Sequence, residues 1–203
     1  MQSDSRGDTL RRITKAALGG LAGCALVLGG TQAAVAAYEM WGYGPGDLTD
    51  LPIKGPFDDA SVTLQVKKSG DGTNFVLDVT RINATAAGEE FGAHLHTGVC
   101  DPLGLDASKA GPHYNHEIEA LGVPKAEAEI SRRTEVWFDL VPNVDGVARD
   151  STTVKFVPQD QDLFMSIVVH NDATANKTGI AGDRAACFPL DVSAWAIKPP
   201  TTP

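Results

Sequence analysis

Histidine is scarce in this chain, and its placement is uneven. Only 5 of the 203 residues are His, and they fall in three places. His94 and His96 stand at positions i and i+2 of Gly92-Ala93-His94-Leu95-His96, so in an extended strand both point to the same face. His170 closes the apolar run Ser166-Ile167-Val168-Val169. His113 and His116 come from a Gly/Pro-marked segment, Ala110-Gly111-Pro112-His113-Tyr114-Asn115-His116. Two imidazoles side by side on a strand pack poorly in a core and chelate well. Sites built from imidazole alone suit copper, zinc, iron or nickel, and a roughly planar set of nitrogen donors favours Cu(II). An isolated H-x-H pair has a plainer reading, as surface residues or hydrogen-bonded strand residues. The concentration of every histidine into three such places favours a metal.

The elements that must carry these side chains follow a period of two. Val62, Leu64 and Val66 alternate with polar residues, Lys68-Ser69-Gly70-Asp71-Gly72 makes a turn, and Phe75, Leu77 and Val79 resume the alternation. Further strand candidates are 91–96, 134–141, 147–157 and 163–170, with Asn143-Val144-Asp145-Gly146 as a hairpin turn between two of them. The helix-like stretch 117–130 is interrupted by Gly122 and Pro124. Short strands, turns and one long irregular loop predict an all-β chain of about eight antiparallel strands in a sandwich or barrel. Residues 37–58, rich in Gly and Pro, read as an extended leader, 59–195 as the domain and 196–203 as a flexible tail. No repeat, nucleotide-binding motif or serine-nucleophile elbow is present.

Charge and targeting narrow the function classes. The formal net charge is −9, which argues against a nucleic-acid partner, because phosphate binding needs a basic face. Arg6, Arg11, Arg12 and Lys15 precede a charge-free run from Ala16 to Gly30, and small residues follow to Ala36. This is the pattern of a secretory signal peptide over 1–36, and the run is too short for a membrane span. Arg11-Arg12 also fits twin-arginine export. Leu21-Ala22-Gly23-Cys24 resembles a lipobox, which would lipidate Cys24, but the apolar run continues past it, so plain cleavage is the expectation. Cleavage removes four basic and two acidic residues, leaving 13 basic and 24 acidic side chains and a charge near −11. It also leaves two cysteines, Cys100 and Cys187. In an exported protein an even pair reads as a disulfide, with two buried thiols as the other reading.

Taken in order, the His94–His96 motif, Cys100, the segment from Ala110 to Asn115, Val168-Val169-His170 and the stretch Lys177-Thr178-Gly179-Ile180-Ala181-Gly182-Asp183-Arg184-Ala185-Ala186-Cys187 resemble the copper/zinc superoxide dismutase family, in particular its exported bacterial branch. Asp145-Gly146-Val147-Ala148 fits that family's mid-chain hairpin, and the resemblance spans roughly 60 to 195. It implies an immunoglobulin-like Greek-key sandwich with long metal-site loops. It further implies that His94, His96, His113 and His170 hold copper, that His113 is the bridging histidine, and that Arg184 attracts and orients superoxide. Cys100 and Cys187 match the family disulfide. A plain ion pair between Arg184 and Asp183 or another carboxylate is the alternative role for that arginine.

The same resemblance exposes a mismatch. The family's paired-metal site needs six histidines and an aspartate, and this chain has five histidines. His116 is the spare one, and Glu119, Glu135 and Asp139 are the carboxylates within reach in sequence. A copper-only site is therefore expected, with a carboxylate or His116 bonding to His113 and fixing its orientation. Zinc held by His113, His116 and carboxylates is the other arrangement. The segment between His170 and Arg184 is short and keeps few cations beside Lys177, so weaker electrostatic guidance of the anion is expected. The functional expectation is an exported dismutase turning superoxide into oxygen and hydrogen peroxide. Its rival is a non-catalytic copper-binding module of the cell envelope, which would need the four histidines but not Arg184.

Overall fold

The alternating segments do form strands, and their register fixes two faces. In the computed structural model, which describes residues 39–51, 55–70, 72–156 and 166–190, β3 (Ser61–Ser69) and β4 (Gly72–Thr80) pair antiparallel as consecutive strands. Val62 faces Val79, Leu64 faces Leu77 and Val66 faces Phe75, so each period-two row lands on the same side and is buried. The outer neighbours are β1 (Glu39–Asp47) and β7 (Ala148–Val154), giving a sheet in the order β1-β3-β4-β7. The second sheet runs β2-β9-β8-β5-β6, from β2 (Thr49–Asp50), β9 (Arg184–Pro189), β8 (Ser166–His170), β5 (Phe91–His96) and β6 (Trp137–Leu140). Every pairing is antiparallel. The chain is all-β, as its periodicity predicts.

Leu64, Phe75 and Leu77 from the first sheet share one apolar cluster with Ala93, Leu95, Ile167 and Val169 from the second. The two sheets therefore pack face to face. β5 and β8 are buried along their whole length. Since Ala93, Leu95, Ile167 and Val169 fill the core, His94, His96 and His170 lie on the opposite face of the second sheet, beneath the loops. Water is excluded there by loop backbone instead of by a second sheet.

Several sequence expectations change. The leader over 37–58 contributes strands: β1 pairs along β3, β2 pairs with β9, and Tyr43, Leu48 and Leu51 are buried. Its period is hidden because the register shifts between Tyr43 and Gly46, around Gly44-Pro45. The strand expected over 134–141 shortens to β6, and the helix-like stretch yields only the four-residue α1 (His116–Glu119). Asn143 to Gly146 does turn, with Gly146 N–H donating to the Asn143 carbonyl at 3.0 Å. The strands it joins, β6 and β7, belong to different sheets, so it is not a hairpin within one sheet. The signal peptide over 1–36 with Cys24, and the tail over 196–203, lie outside the described residues.

Cys100 and Cys187 are disulfide-bonded, with Cα atoms 5.7 Å apart. The bond packs against Leu51, Ala110 and Val168 and ties the loop after β5 to β9. Closing a loop of 87 residues' separation restricts the unfolded chain by about 4–5 kcal/mol in the chain-entropy treatment. Unfolding by urea with and without reductant should show a loss of about 2–5 kcal/mol on reduction. An unchanged midpoint would contradict that role.

Candidate metal centre

Cross-strand register brings the first three histidines together. On the loop-covered face, His94 stands between Trp137 of β6 and Val168 of β8, and Val168 stands beside Cys187 of β9. His170 pairs with Arg184 only because the ladder slips between Val169 and His170. Ala185 and Ala186 both turn into the core, which a regular strand would not allow for consecutive residues. The slip carries Arg184 onto the histidine face, the re-aiming that a bulge performs.

His113 arrives on a loop laid against the edge of β5. The Thr97 amide donates to the Pro112 carbonyl at 3.0 Å, and the Tyr114 amide donates to the Leu95 carbonyl at 2.8 Å. Gly98 permits this approach, because a Cβ there would strike the backbone of Lys109, Ala110 and Gly111. As a result His94, His96, His113 and His170 each present one ring nitrogen to a common point, all within 4.8 Å of one another.

The outer nitrogens decide which atoms face inward. His96 Nδ1 lies 3.0 Å from the Gly111 carbonyl, and His170 Nδ1 lies 3.2 Å from the Gly182 carbonyl. A carbonyl can only accept, so both Nδ1 atoms carry the proton and both Nε2 atoms are bare acceptors. Those two Nε2 atoms are buried with no hydrogen-bond partner. His113 Nδ1 donates to the Glu135 carboxylate at 2.8 Å, which leaves its Nε2 as an acceptor too, 3.0 Å from His94 Nδ1. His94 Nε2 meets the Thr174 hydroxyl at 2.8 Å. Converging buried acceptors without donors are costly unless a cation shares them. The donor set, four imidazoles, fits a d-block ion.

Glu135 is buried and accepts three hydrogen bonds. Besides His113, it accepts from Trp137 Nε1 at 2.7 Å and from Asn115 Nδ2 at 3.1 Å. Of the candidates for fixing His113, Glu135 is the one the fold brings to it. His116 is not: it stacks flat on Phe156 at 4.3 Å, with Tyr114 Oη 3.3 Å from its Nδ1, because α1 begins there and turns its ring outward from the cluster. Arg132 Nη2 donates to both oxygens of Asp139, at 2.7 and 2.9 Å, and Glu119 lies in α1 outside the cluster. Period-two and motif reasoning missed Thr174, Trp137 and Asn115. Asn115 and Thr174 are buried polar residues in loops, and linear sequence carries no signal for that kind of burial.

Arg184 is half-buried and spans two loop carbonyls, Ala107 at 2.6 Å and Gly111 at 2.5 Å. The Gly111 carbonyl therefore accepts from both Arg184 and His96, so the arginine and a histidine of the cluster share one anchor. Arg184 bonds to carbonyls, and among the described residues no carboxylate pairs with its positive charge. Around it opens a cleft of about 670 Å³ lined by Ser108, Gly111, Pro112, Gly182 and Asp183. No family model and no curated protein matches the chain. Among the described residues no helix is long and apolar enough to cross a membrane.

Burial, followed by the neighbouring His113, holds His94 and His96 well below the ordinary imidazole range, and burial pushes His170 down to about 4. These rings stay neutral at pH 7 with lone pairs available. A folded-state value below the unfolded 6.5 means that the unfolded chain binds more protons in acid. The stability these rings allow is thus complete above about pH 6.5 and is lost as pH falls. For the metal-free protein, urea unfolding should show stability lost as pH falls from 7 to about 4.5, with about 2 kcal/mol of it from His170. His170→Gln should flatten the profile by about that share, and a flat wild-type profile would contradict the burial account.

Proposed function

We propose that this chain is a copper-dependent superoxide dismutase, similar to the copper/zinc superoxide dismutase family but working with a single metal ion, and exported before it acts. The observation that carries this reading is the convergence of four imidazoles beside a cleft whose wall holds a guanidinium. The disulfide supports an oxidising compartment. Copper held by His94, His96, His113 and His170 would supply the one-electron redox chemistry that dismutation needs.

The remaining roles fall to the chain's own groups. Arg184 offers the anion a positive charge at the mouth of the site, against a chain of net −9 that otherwise repels it. His113 is the least buried of the four, and its Nε2 can take up a proton while Glu135 retains the one on Nδ1. An imidazolium formed there would be ion-paired with that carboxylate. Two superoxides and two protons give one oxygen and one hydrogen peroxide. A single ion is favoured over a copper–zinc pair because every outer imidazole nitrogen already bonds to a protein oxygen.

The test is dismutation by the copper-loaded protein over a range of ionic strengths, with copper and zinc content measured in parallel. Wild type should turn over well above free copper at equal concentration. Arg184→Ala, at matched copper occupancy, should lose about tenfold or more in rate and much of its salt dependence. Full copper occupancy without turnover would replace the dismutase by the rival reading, a non-catalytic copper-binding module.

A further inference from the structure

The contact between His94 and His113 holds a constraint that the other two histidines escape. His113 Nδ1 is committed to the Glu135 carboxylate, so its Nε2 can only accept. His94 Nδ1 faces that acceptor at 3.0 Å. In the metal-free protein this approach is favourable only if His94 Nδ1 carries the proton and donates it. A neutral ring then has a bare Nε2, which must accept from Thr174 Oγ1, 2.8 Å away.

Metal binding reverses the roles of both His94 nitrogens and of the Thr174 hydroxyl. The nitrogen that His94 turns toward the cluster is Nδ1, so ligation needs its lone pair, and the ring's proton must sit on Nε2. The Thr174 oxygen must then accept. The ring loses a proton at Nδ1 and gains one at Nε2, with no net change, and the hydroxyl rotates its hydrogen away. Only a group that both donates and accepts serves both states. A carboxylate could accept but never donate, and an aliphatic side chain could do neither.

We propose that Thr174 is a two-way hydrogen-bond partner that lets His94 exchange tautomers as a metal ion enters, and so is a positioning residue of the centre. This rests on the metal site of the proposed function and adds to it the behaviour of one ligand. The surroundings fit the role. Thr174 is buried, and it sits in the loop that returns from His170 to Arg184. The Asp172 carbonyl of that loop accepts from the Gly92 amide at 2.8 Å. Gly92 is required below it, since a Cβ would collide with Thr174 Oγ1 and with Ala181 Cβ. The other imidazoles have fixed acceptors on their outer nitrogens and need no such partner.

The experiment is nitrogen-15 NMR of the histidine rings in the wild-type protein, metal-free and loaded with diamagnetic Cu(I), together with copper competition titrations of Thr174→Val and Thr174→Ser. His94 should carry its proton on Nδ1 without metal and on Nε2 with it, while His96 and His170 keep theirs on Nδ1 throughout. Thr174→Val should bind copper about 10–100-fold more weakly, and Thr174→Ser should stay within about threefold of wild type, which a purely space-filling role would not produce. A metal-free His94 already protonated on Nε2 would overturn the inference. So would Thr174→Val binding copper as tightly as wild type. A wild-type chain that takes up no copper would overturn the metal reading itself, and is told apart from the other two failures by the titration of the unmodified protein.

Discussion

Lone pairs that point inward need protons that point outward, and the whole centre is arranged around that requirement. A neutral imidazole has one donor and one acceptor, so the orientation of its acceptor is set by whatever takes its N–H. Here the N–H of His96 goes to the Gly111 carbonyl, that of His170 to the Gly182 carbonyl and that of His113 to Glu135. Both carbonyls sit on glycines with positive φ, +69° for Gly111 and +73° for Gly182, a backbone conformation that other residues adopt at a cost. The loop conformation thus selects the ligand atom. Burial then removes water as a competing partner and keeps the rings neutral, which is why two Nε2 atoms are left with no partner at all.

That constraint propagates into the fold. The strand face carrying His94, His96 and His170 cannot be solvated, or the rings would protonate and their acceptors would be hydrated. It also cannot be packed against the other sheet, which would leave no route in. Covering it with loops satisfies both conditions, and the loops must then be fixed. The disulfide anchors the loop after β5 to β9, and Arg184 clamps the same loop further along through the carbonyls of Ala107 and Gly111. Arg132 does the corresponding work at the other side, where it pairs with Asp139, reaches Asn176 at 3.2 Å and lies over the Trp137 ring at 5.3 Å. Trp137 in turn bonds to Glu135, so the surface ion pair and the buried carboxylate belong to one connected structure.

What was legible in the sequence divides along physical lines. Period-two alternation gave β3 and β4, because one-sided burial writes itself directly into residue order. The H-x-H spacing placed His94 and His96 on one face of β5 because side chains two apart in a strand point the same way. The strand at Glu39–Asp47 was illegible because Gly44-Pro45 interrupts its register, and periodicity is the only local sign a strand has. The histidine cluster was recoverable because few histidines were available and three of the four sit on strands. Its supporting shell was harder. Glu135 was one of several carboxylates at comparable sequence distance, and only the antiparallel bridge between Asn115 and Glu135 distinguishes it from Glu119 or Asp139. Thr174 has no sequence signature, since its role comes from a loop conformation that depends on Gly92 in a different strand.

The saturation of the outer nitrogens also bears on how many ions the centre can hold. A second ion beside His113 would have to take Nδ1, which donates to a buried carboxylate whose two oxygens already accept three N–H bonds. Inserting a cation there would remove the His113 proton and break the bond to Glu135 that now orients the ring. No further histidine is nearby to offset that loss, because His116 is stacked on Phe156. A carboxylate thus does for the orientation of His113 what a second cation would do, with opposite charge. The electrostatic consequence is direct: a positive charge in that position would repel a proton approaching His113, whereas Glu135 attracts one.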